Sequence, residues 1–215
     1  MAVLTRINAN DVAMLLIDHQ SGLYQTVKDN NIVQLRQNVI ALAKIAALEK
    51  IPVVTTASEP NGPNGPLMPE IHEIASHAVY VPRNGEINSW DTPAFVEAVK
   101  KTGRKKLIIA GILTSVCVAF PSISAIADGY EVFAAIDASG DMSELASQAT
   151  IARLVMAGAI PISTVAILSE IQKTWRREDA LKYAEAYSGT MPNYYAVTES
   201  YQKAKSLGEK AMASA

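Results

Sequence analysis

Short, continuous apolar runs alternate along this chain with longer segments whose apolar residues follow a helical spacing. The first two runs are Val12–Ile17 and Val53–Thr56, and the segment between them, Val33–Leu48, has the helical pattern. An uninterrupted apolar strand is typical of a parallel sheet that is covered on both faces. The alternation continues with predicted strands at Val79–Val81, Leu107–Ala110, Tyr130–Ile136 and Ile160–Ser163, and predicted helices at Phe95–Lys101, Val116–Ala127 and Ser143–Ala157.

These repeated strand–helix units predict the fold class. Right-handed crossovers between parallel strands place helices on both faces of the sheet. We therefore predict a Rossmann-like α/β fold, a three-layer α/β/α sandwich around a doubly wound, six-stranded parallel sheet. Residues 1–215 are expected to form a single domain, because no internal repeat or second domain is evident.

Two segments depart from this alternation. Ser58–Pro66 is a loop rich in proline and glycine, of the kind that forms lids, pocket walls or plain connections. From about residue 174 to residue 215 the chain is polar and rich in tyrosine, which predicts a C-terminal helical extension. Its tyrosines suit packing on the same domain or on another subunit, and we favour contact with another subunit.

Composition narrows the class of protein. A formal net charge of -2 gives no reason to expect nucleic acid or an anionic membrane as a partner. A single cysteine excludes an internal disulfide and fits a reducing compartment. The apolar stretch Leu107–Phe120 is interrupted by polar residues and is too short to span a membrane. We expect a soluble, cytoplasmic protein.

The single cysteine, Cys117, lies where a strand should become a helix. Gly111 ends the apolar run before it, and Thr114 suits the N-cap position of the following helix. Cys117 then falls in the first helical turn, where unpaired N–H groups and the helix dipole stabilise an anion and would lower the thiol pKa. The alternative is that Cys117 is a small buried hydrophobic residue. Pro121 should bend or loosen this helix near its start, because it has no N–H.

Asp18, Arg83 and Cys117 each follow a predicted strand. Ligands of an open parallel sheet bind at the carboxyl ends of its strands, where the winding reverses. If the first and fourth strands are neighbours, Asp18 and Cys117 face one crevice, and the long Arg83 side chain can reach it. The carboxylate would accept the thiol proton, and the cation would hold the charges in place. Alternatively, Asp18 caps a turn and Arg83 lies on the surface.

The start of the predicted helix also suggests donors for a developing oxyanion. The backbone N–H groups of Leu113 and Cys117 could form a two-donor cradle there. For Leu113 to point inward, the Ile112–Leu113 peptide would need an unusual geometry, such as a cis bond.

Several motifs together resemble the isochorismatase-like cysteine hydrolase superfamily, over about residues 9–165, and most of all its YcaC-type hydrolases. The motifs that carry this resemblance are Ile17–Gln20, Arg83–Asp91, Gly111–Val118, Ala119–Ser122 and Asp137–Gly140, followed by the long C-terminal extension.

The resemblance implies a catalytic mechanism and an assembly. Members use an Asp-Lys-Cys triad and form a thioester from amide-type substrates, so that Asp18 becomes the general base and Cys117 the nucleophile. The Ile112–Leu113 peptide becomes a cis bond, with the oxyanion donors at Leu113 and Cys117. Arg83 occupies the position of the family lysine, and its permanent charge limits it to an electrostatic role. The resemblance further implies a large homo-oligomer, often an octamer.

No metal or other cofactor is expected. Nicotinamidases of this superfamily carry an Asp-x-His metal site after the second strand, but Val54–Pro60 contains no histidine. His19, His72 and His77 lack a convincing ligand spacing, and no glycine-rich nucleotide motif is present.

The function predicted from these features is metal-independent cysteine hydrolysis of a small amide or related acyl compound through a thioester. A non-catalytic binder of small molecules and a structural oligomer are the alternatives. Trp90 could form an aromatic pocket wall, although plain packing is the commoner use of such a residue. The predicted substrate-binding residues are Gln20, Glu59, Asn88, Trp90, Thr114 and Phe120.

Overall fold

A computed structural model describes residues 5–213 and contains one six-stranded, all-parallel sheet. Residues 1–4 and 214–215, which the predicted domain and its extension include, lie outside the described residues. The strand order is β3-β2-β1-β4-β5-β6, which confirms the predicted doubly wound sheet. The strands are β1 (Val12–Ile17), β2 (Val53–Thr56), β3 (Val79–Tyr80), β4 (Lys106–Gly111), β5 (Glu131–Ala135) and β6 (Ile160–Ile162).

Helices cover both faces of this sheet and continue beyond it at the C-terminus. Most predicted elements differ from the observed ones by one to three residues at their ends. The strand predicted as Tyr130–Ile136 ends at Ala135 because a 3-10 turn, Ile136–Ala138, follows it, and the helix predicted from Val116 begins at Ala119 after a π-helical turn, Thr114–Val118. The helices are α1 (Ser21–Tyr24), α2 (Ile32–Glu49), α3 (Glu70–Ile74), α4 (Pro93–Lys101), α5 (Ala119–Ala127), α6 (Glu144–Ala157), α7 (Thr164–Gln172), α8 (Ala180–Thr190) and α9 (Pro192–Ala213).

The apolar run of β1 is buried on both faces, as its pattern predicts. Met14 and Leu16 belong to the core beneath α2, whereas Leu15 and Ile17 belong to the core on the opposite face. All six residues of β1 are buried. Full burial of one such Leu or Ile side chain stabilises the fold by about 1.5–3 kcal/mol. Because β1 contributes side chains of this kind to both cores, it stabilises both faces of the sheet.

The winding of the chain reverses between β1 and β4, which pair directly with Ile17 opposite Gly111. The glycine is required there because a Cβ at position 111 would lie 2.4 Å from the carbonyl oxygen of Ile17. The carboxyl ends of β1 and β4 therefore meet at the topological switch point, where a doubly wound sheet forms its ligand site.

The C-terminal extension begins as part of the same fold and ends on the surface. In α8, Tyr183 is buried against the main core, and its hydroxyl donates to the carboxylate of Glu49 at the end of α2. Arg177 also binds Glu49, at 2.6 Å. In α9, by contrast, Tyr194, Tyr195 and Tyr201 are exposed. Tyr183 thus packs on its own domain, whereas subunit contact by the exposed tyrosines of α9 stays a prediction. None of the helices between residues 5 and 213 has the length and apolar character needed to cross a bilayer.

Candidate active site

Asp18 is the first residue after β1, and its backbone turns sharply there. Its φ of 58° lies in the left-handed region, and its N–H donates to the carbonyl of Thr56 at 3.0 Å. The side chain is fully buried. Oδ1 accepts a hydrogen bond from Arg83, whereas Oδ2 has no conventional hydrogen-bond partner in the described part of the chain. One carboxylate oxygen is thus held and the other is available.

Arg83 reaches Asp18 from the segment that follows β3. Its guanidinium group pairs with the Asp18 carboxylate through Nη2, and the side chains of both residues are 0% exposed. Nη1 donates to the carbonyl oxygens of Glu86 at 3.0 Å and Ile87 at 3.3 Å. The surface position that the sequence left open for Arg83 is therefore wrong.

Cys117 lies in the π-helical turn Thr114–Val118, which we call the Cys117 turn, and is 8% exposed. Its thiol interacts with the Asp18 carboxylate. The structure thus brings the three predicted side chains together, from the ends of β1 and β4 and from the loop after β3.

The predicted lowering of the Cys117 pKa is wrong. Burial raises the pKa of the thiol well above its usual value, and the negative charge of Asp18 raises it further, against a smaller opposing effect of Arg83. The helix N–H groups that were expected to stabilise a thiolate instead donate to the carbonyl of Leu113. The Cys117 N–H is the nearest of them, at 2.8 Å. Burial also raises the pKa of Asp18, although the charge of Arg83 opposes this shift. The resting thiol is therefore neutral and faces the Asp18 carboxyl group.

The candidate oxyanion donors lie beside the thiol. The Ile112–Leu113 peptide is cis. The Leu113 N–H faces the Cys117 thiol, whose pKa it lowers slightly against the larger effect of burial. The Cys117 N–H is already bonded to the Leu113 carbonyl. Thr114 is not the N-cap, because Leu113 occupies that position without a side-chain hydrogen bond. Thr114 instead donates its N–H to Gly140 at 2.9 Å, and its buried hydroxyl is without a partner in residues 5–213.

Gln20 hydrogen-bonds the proline- and glycine-rich loop Ser58–Pro66, and Glu59 is part of that loop. The Gln20 amide is fully buried, donates to the carbonyls of Ser58 and Gly65 and accepts from the Ser58 N–H at 2.9 Å. Its polar atoms therefore anchor the loop, which argues against the predicted substrate contact. Glu59 is exposed, and its Oε1 would lie 3.2 Å from a Cβ at Gly85, so it stands at the rim beside the Arg83 segment.

Trp90, Asn88 and Phe120 lie in the helical layer. Trp90 packs edge-on against Phe95 and Tyr130, and its Nε1 donates to Asp128 at 2.9 Å. Trp90 is thus a packing residue, the alternative that the sequence left open. The Asn88 side chain closes the 3-10 turn of Trp90 and donates to Ser124 at 3.2 Å. The Arg153 guanidinium lies over the Phe120 ring, with its Cζ atom 5.6 Å from the ring centroid.

The three histidines have other partners. His19 is fully buried, its Nε2 donates to the carbonyl of Ala138 at 2.9 Å, and burial lowers its pKa to about 4. His72 bonds Thr55, and His77 donates to the carbonyl of Ile51. Residues 5–213 contain no group of three His, Cys, Asp or Glu side chains placed to hold a metal ion.

Ser139–Asp141 hydrogen-bonds the segment that carries Cys117, a role that was not predicted from the sequence. The only available signal was the Asp137–Gly140 stretch, part of the family resemblance. Its neighbour Asp141 has no distinguishing local pattern, because its partners lie far away in the sequence.

Known proteins resemble this chain along nearly its whole length. Residues 12–166 match the isochorismatase domain family. Over 196 residues the chain is 42% identical to "Probable hydrolase YcaC" of Escherichia coli strain K12. This alignment covers 91% of this chain and 94% of that protein.

Two solved structures share the fold closely. YcaC from Pseudomonas aeruginosa, solved with hexane-2,5-diol and covalent acrylamide, superimposes with a TM-score of 0.90 at 40% identity and covers 94% of this chain and 100% of that chain. The Escherichia coli YcaC gene product, described as an octameric hydrolase of unknown specificity, gives the same TM-score and identity over 94% of this chain and 99% of that chain. On the family match and these similarities, this chain belongs to the isochorismatase family.

Proposed function

We propose that this chain is a metal-independent cysteine hydrolase that cleaves a small amide or related acyl compound through a thioester. One observation carries the proposal: the Asp18 Oδ2 atom is buried and without a conventional partner in the described residues, while Oδ1 is paired with Arg83 and the Cys117 thiol interacts with the same carboxylate. A buried carboxylate oxygen that has no conventional partner and lies beside a thiol is placed to take the thiol proton.

Comparisons with relatives support hydrolysis. The Escherichia coli relative is named a probable hydrolase, and its structure is described as a hydrolase of unknown specificity. The Pseudomonas aeruginosa structure contains covalent acrylamide, an electrophile that bonds to nucleophilic side chains. In this chain we assign the nucleophile to Cys117.

The reaction begins when Asp18 accepts the thiol proton as the Cys117 sulfur attacks the carbonyl carbon of the substrate. Because burial keeps the resting thiol neutral, proton transfer and carbon–sulfur bond formation occur together. The negative charge moves to the carbonyl oxygen, which the N–H of Leu113 stabilises. The N–H of Cys117 can contribute if its bond to Leu113 lengthens.

Breakdown of the tetrahedral intermediate completes acylation. Asp18 returns its proton to the departing nitrogen, and the carbon–nitrogen bond breaks to leave a thioester on Cys117. Asp18 then removes a proton from water, whose oxygen attacks the thioester and releases the carboxylic acid. The thiol is restored, so one amide and one water give one acid and one amine.

Arg83 has an electrostatic role in this mechanism. Its guanidinium remains protonated throughout and cannot move a proton as a lysine might. Its contacts with Asp18, Glu86 and Ile87 fix the carboxylate and balance its charge in a buried site.

We also propose a homo-oligomer, because the Escherichia coli relative is octameric. The exposed apolar side chains of α9, among them Tyr194, Tyr195, Val197 and Tyr201, supply a surface suited to subunit contact. Cytoplasmic location, and the lack of nucleic-acid and membrane partners, remain predictions from composition.

A panel of small amides and esters tests the hydrolase directly. We expect amine release by the wild-type chain, loss of turnover in Cys117→Ala, and a decrease of at least about a hundredfold in Asp18→Asn. Asp128→Asn is the matched control, because it neutralises a carboxylate at the far end of α5, away from Cys117. Equal turnover in wild type and Cys117→Ala would refute the proposal. Binding of panel compounds without turnover would favour the non-catalytic alternative, which the raised thiol pKa makes worth testing.

A further inference from the structure

Three consecutive residues after β5 hydrogen-bond the segment that carries Cys117. The Ser139 hydroxyl accepts from the Gly111 N–H at 3.1 Å, and the Gly140 carbonyl accepts from the Thr114 N–H at 2.9 Å. Asp141 Oδ2 then accepts from the Ser115 N–H at 2.8 Å. The end of β4 and the Cys117 turn are therefore bound at three successive points from the neighbouring segment.

Asp141 supplies the only side-chain carboxylate of these three contacts, and it is fully buried. Its Oδ1 accepts from the Ser115 hydroxyl at 3.1 Å and from the Met142 N–H at 2.9 Å. No ion pair in residues 5–213 includes Asp141. A buried carboxylate without a cation depends on such donors, so its contacts with Ser115 hold that residue firmly.

Asp141 is itself fixed from the opposite side. Its N–H donates to Asp29 Oδ1 at 2.6 Å, and its carbonyl accepts from the Lys28 N–H at 2.8 Å. Residues 28 and 29 lie between α1 and α2. Asp141 thus links this connecting segment to the Cys117 turn.

The Cys117 turn needs an external contact of this kind. Its N-cap, Leu113, offers no side-chain hydrogen bond, and its own N–H groups crowd onto one carbonyl oxygen. Pro121 has no N–H to bond the Cys117 carbonyl, so the following helix does not reinforce the turn at that point. Gly140 supplies one such bond through its carbonyl, and Asp141 supplies two through its side chain.

We propose that Asp141 is a positioning residue that holds the Cys117 turn so that the thiol faces Asp18. The inference rests on the proposed function for its catalytic consequence, but the placement of the thiol can be measured without a substrate. Asp141 touches neither the thiol nor any reacting atom in this arrangement. It acts through Ser115, two residues before Cys117.

The test is a double-mutant cycle read by titration of the only cysteine, through the ultraviolet absorbance of its thiolate. The charged groups that face Cys117 are Asp18 and Arg83. In the otherwise wild-type chain, Asp18→Asn should lower the titration midpoint by about one pH unit or more, since it removes a negative charge beside the thiol. In the Asp141→Ala background the same change should shift the midpoint by less than about 0.3 unit, because the thiol no longer faces position 18.

Asp128→Ala is the matched control. Asp128 follows the far end of α5 and bonds Trp90 rather than the Cys117 turn. The Asp18→Asn shift should keep its full size in this background. If Asp141→Ala does not fold, Asp141→Asn replaces it in the cycle. Its amide oxygen still accepts a hydrogen bond from Ser115, whereas its NH₂ group faces the Met142 N–H and cannot accept from it. The Asp18→Asn shift should then be reduced only in part.

Each outcome separates the two claims. An equal Asp18→Asn shift in both backgrounds would overturn the positioning role and leave the proposed function intact. No shift in either background would overturn both, since it would mean that the thiol does not face Asp18. A shift lost in Asp141→Ala, together with a wild-type chain that hydrolyses none of the amide panel, would uphold the positioning role and refute the hydrolase. With hydrolysis present, Asp141→Ala should lower its rate by about tenfold or more.

Discussion

Asp18 and Arg83 form an ion pair in which both side chains are completely buried, although 64 residues separate them in the sequence. Asp18 follows β1, and Arg83 follows β3, with β2 lying between these strands in the sheet. A long side chain is needed to join the two positions. The pair also leaves one oxygen of Asp18 unoccupied within the described chain, which is the arrangement required of a base beside a thiol.

Removing the cation should destabilise the fold strongly. Arg83→Ala leaves the Asp18 charge buried without compensation, which typically costs about 3–5 kcal/mol. Denaturant unfolding at neutral pH measures this loss. Arg36→Ala is the control, because the Arg36–Glu70 pair is about one-third exposed and should contribute only about 0–1 kcal/mol. Equal losses of unfolding free energy in Arg83→Ala and Arg36→Ala would contradict the idea that removal of Arg83 leaves a buried charge on Asp18 without compensation.

How far the sequence predicts this site depends on the distance over which its determinants act. Continuous apolar strands and right-handed crossovers follow from local pattern and general topology, and they place Asp18, Arg83 and Cys117 at one edge of the sheet. The direction of the Cys117 pKa shift depends instead on how deeply the thiol is buried and on the charge of Asp18 beside it. Neither is visible in the residues around Cys117.

The surrounding residues show the same limit. The sequence places Gln20 near the site but does not reveal its partners. Its amide donates to the loop carbonyls of Ser58 and Gly65. Trp90 follows Arg83 closely in sequence, yet its ring packs on Tyr130 and its N–H bonds Asp128. Loop conformation decides both, and no short-range periodicity encodes it.

Close approach between β1 and β4 makes Gly111 sensitive to substitution. The Cβ of Gly111→Ala would lie 2.4 Å from the backbone oxygen of Ile17, so the two strands must separate. We expect a loss of about 1–3 kcal/mol in the free energy of unfolding. We also expect weaker coupling of Asp18 to the Cys117 titration, since these residues follow the two strands.

Gly208→Ala is the control for this substitution, because a Cβ in α9 at that position meets open space. It should change stability by less than about 1 kcal/mol, in the favourable direction. A Gly111→Ala chain as stable as wild type would show that the sheet relaxes easily at its switch point.

The deep burial of His19 should make the fold sensitive to mild acid. Its pKa is lowered from 6.5 to about 4 by burial, so the unfolded chain takes up a proton near pH 6.5 that the folded chain takes up only near pH 4. The stabilisation is therefore complete above about pH 6.5 and is lost as the pH falls toward 4. At about 1.36 kcal/mol per unit of pKa shift, the loss reaches about 3 kcal/mol.

His19→Gln tests this origin because glutamine keeps an N–H donor for the Ala138 carbonyl and does not titrate. Unfolding free energies are compared at pH 8 and pH 4 in both chains. The wild-type value should fall by about 3 kcal/mol more than that of the variant. Parallel losses would assign the acid sensitivity to other groups.

The exposed apolar face of α9 should be required for assembly. Its side chains include Tyr194, Val197 and Tyr201, which make little contact with the rest of the chain, whereas Tyr183 and Tyr187 of α8 are buried. Deletion of residues 192–215 should therefore lower the native mass measured by light scattering while leaving the circular dichroism of the core intact. Lys205→Glu, an exposed polar change on the same helix, is the control and should keep the wild-type mass. An unchanged mass after the deletion would place the subunit interface elsewhere, on the surface of the α/β core.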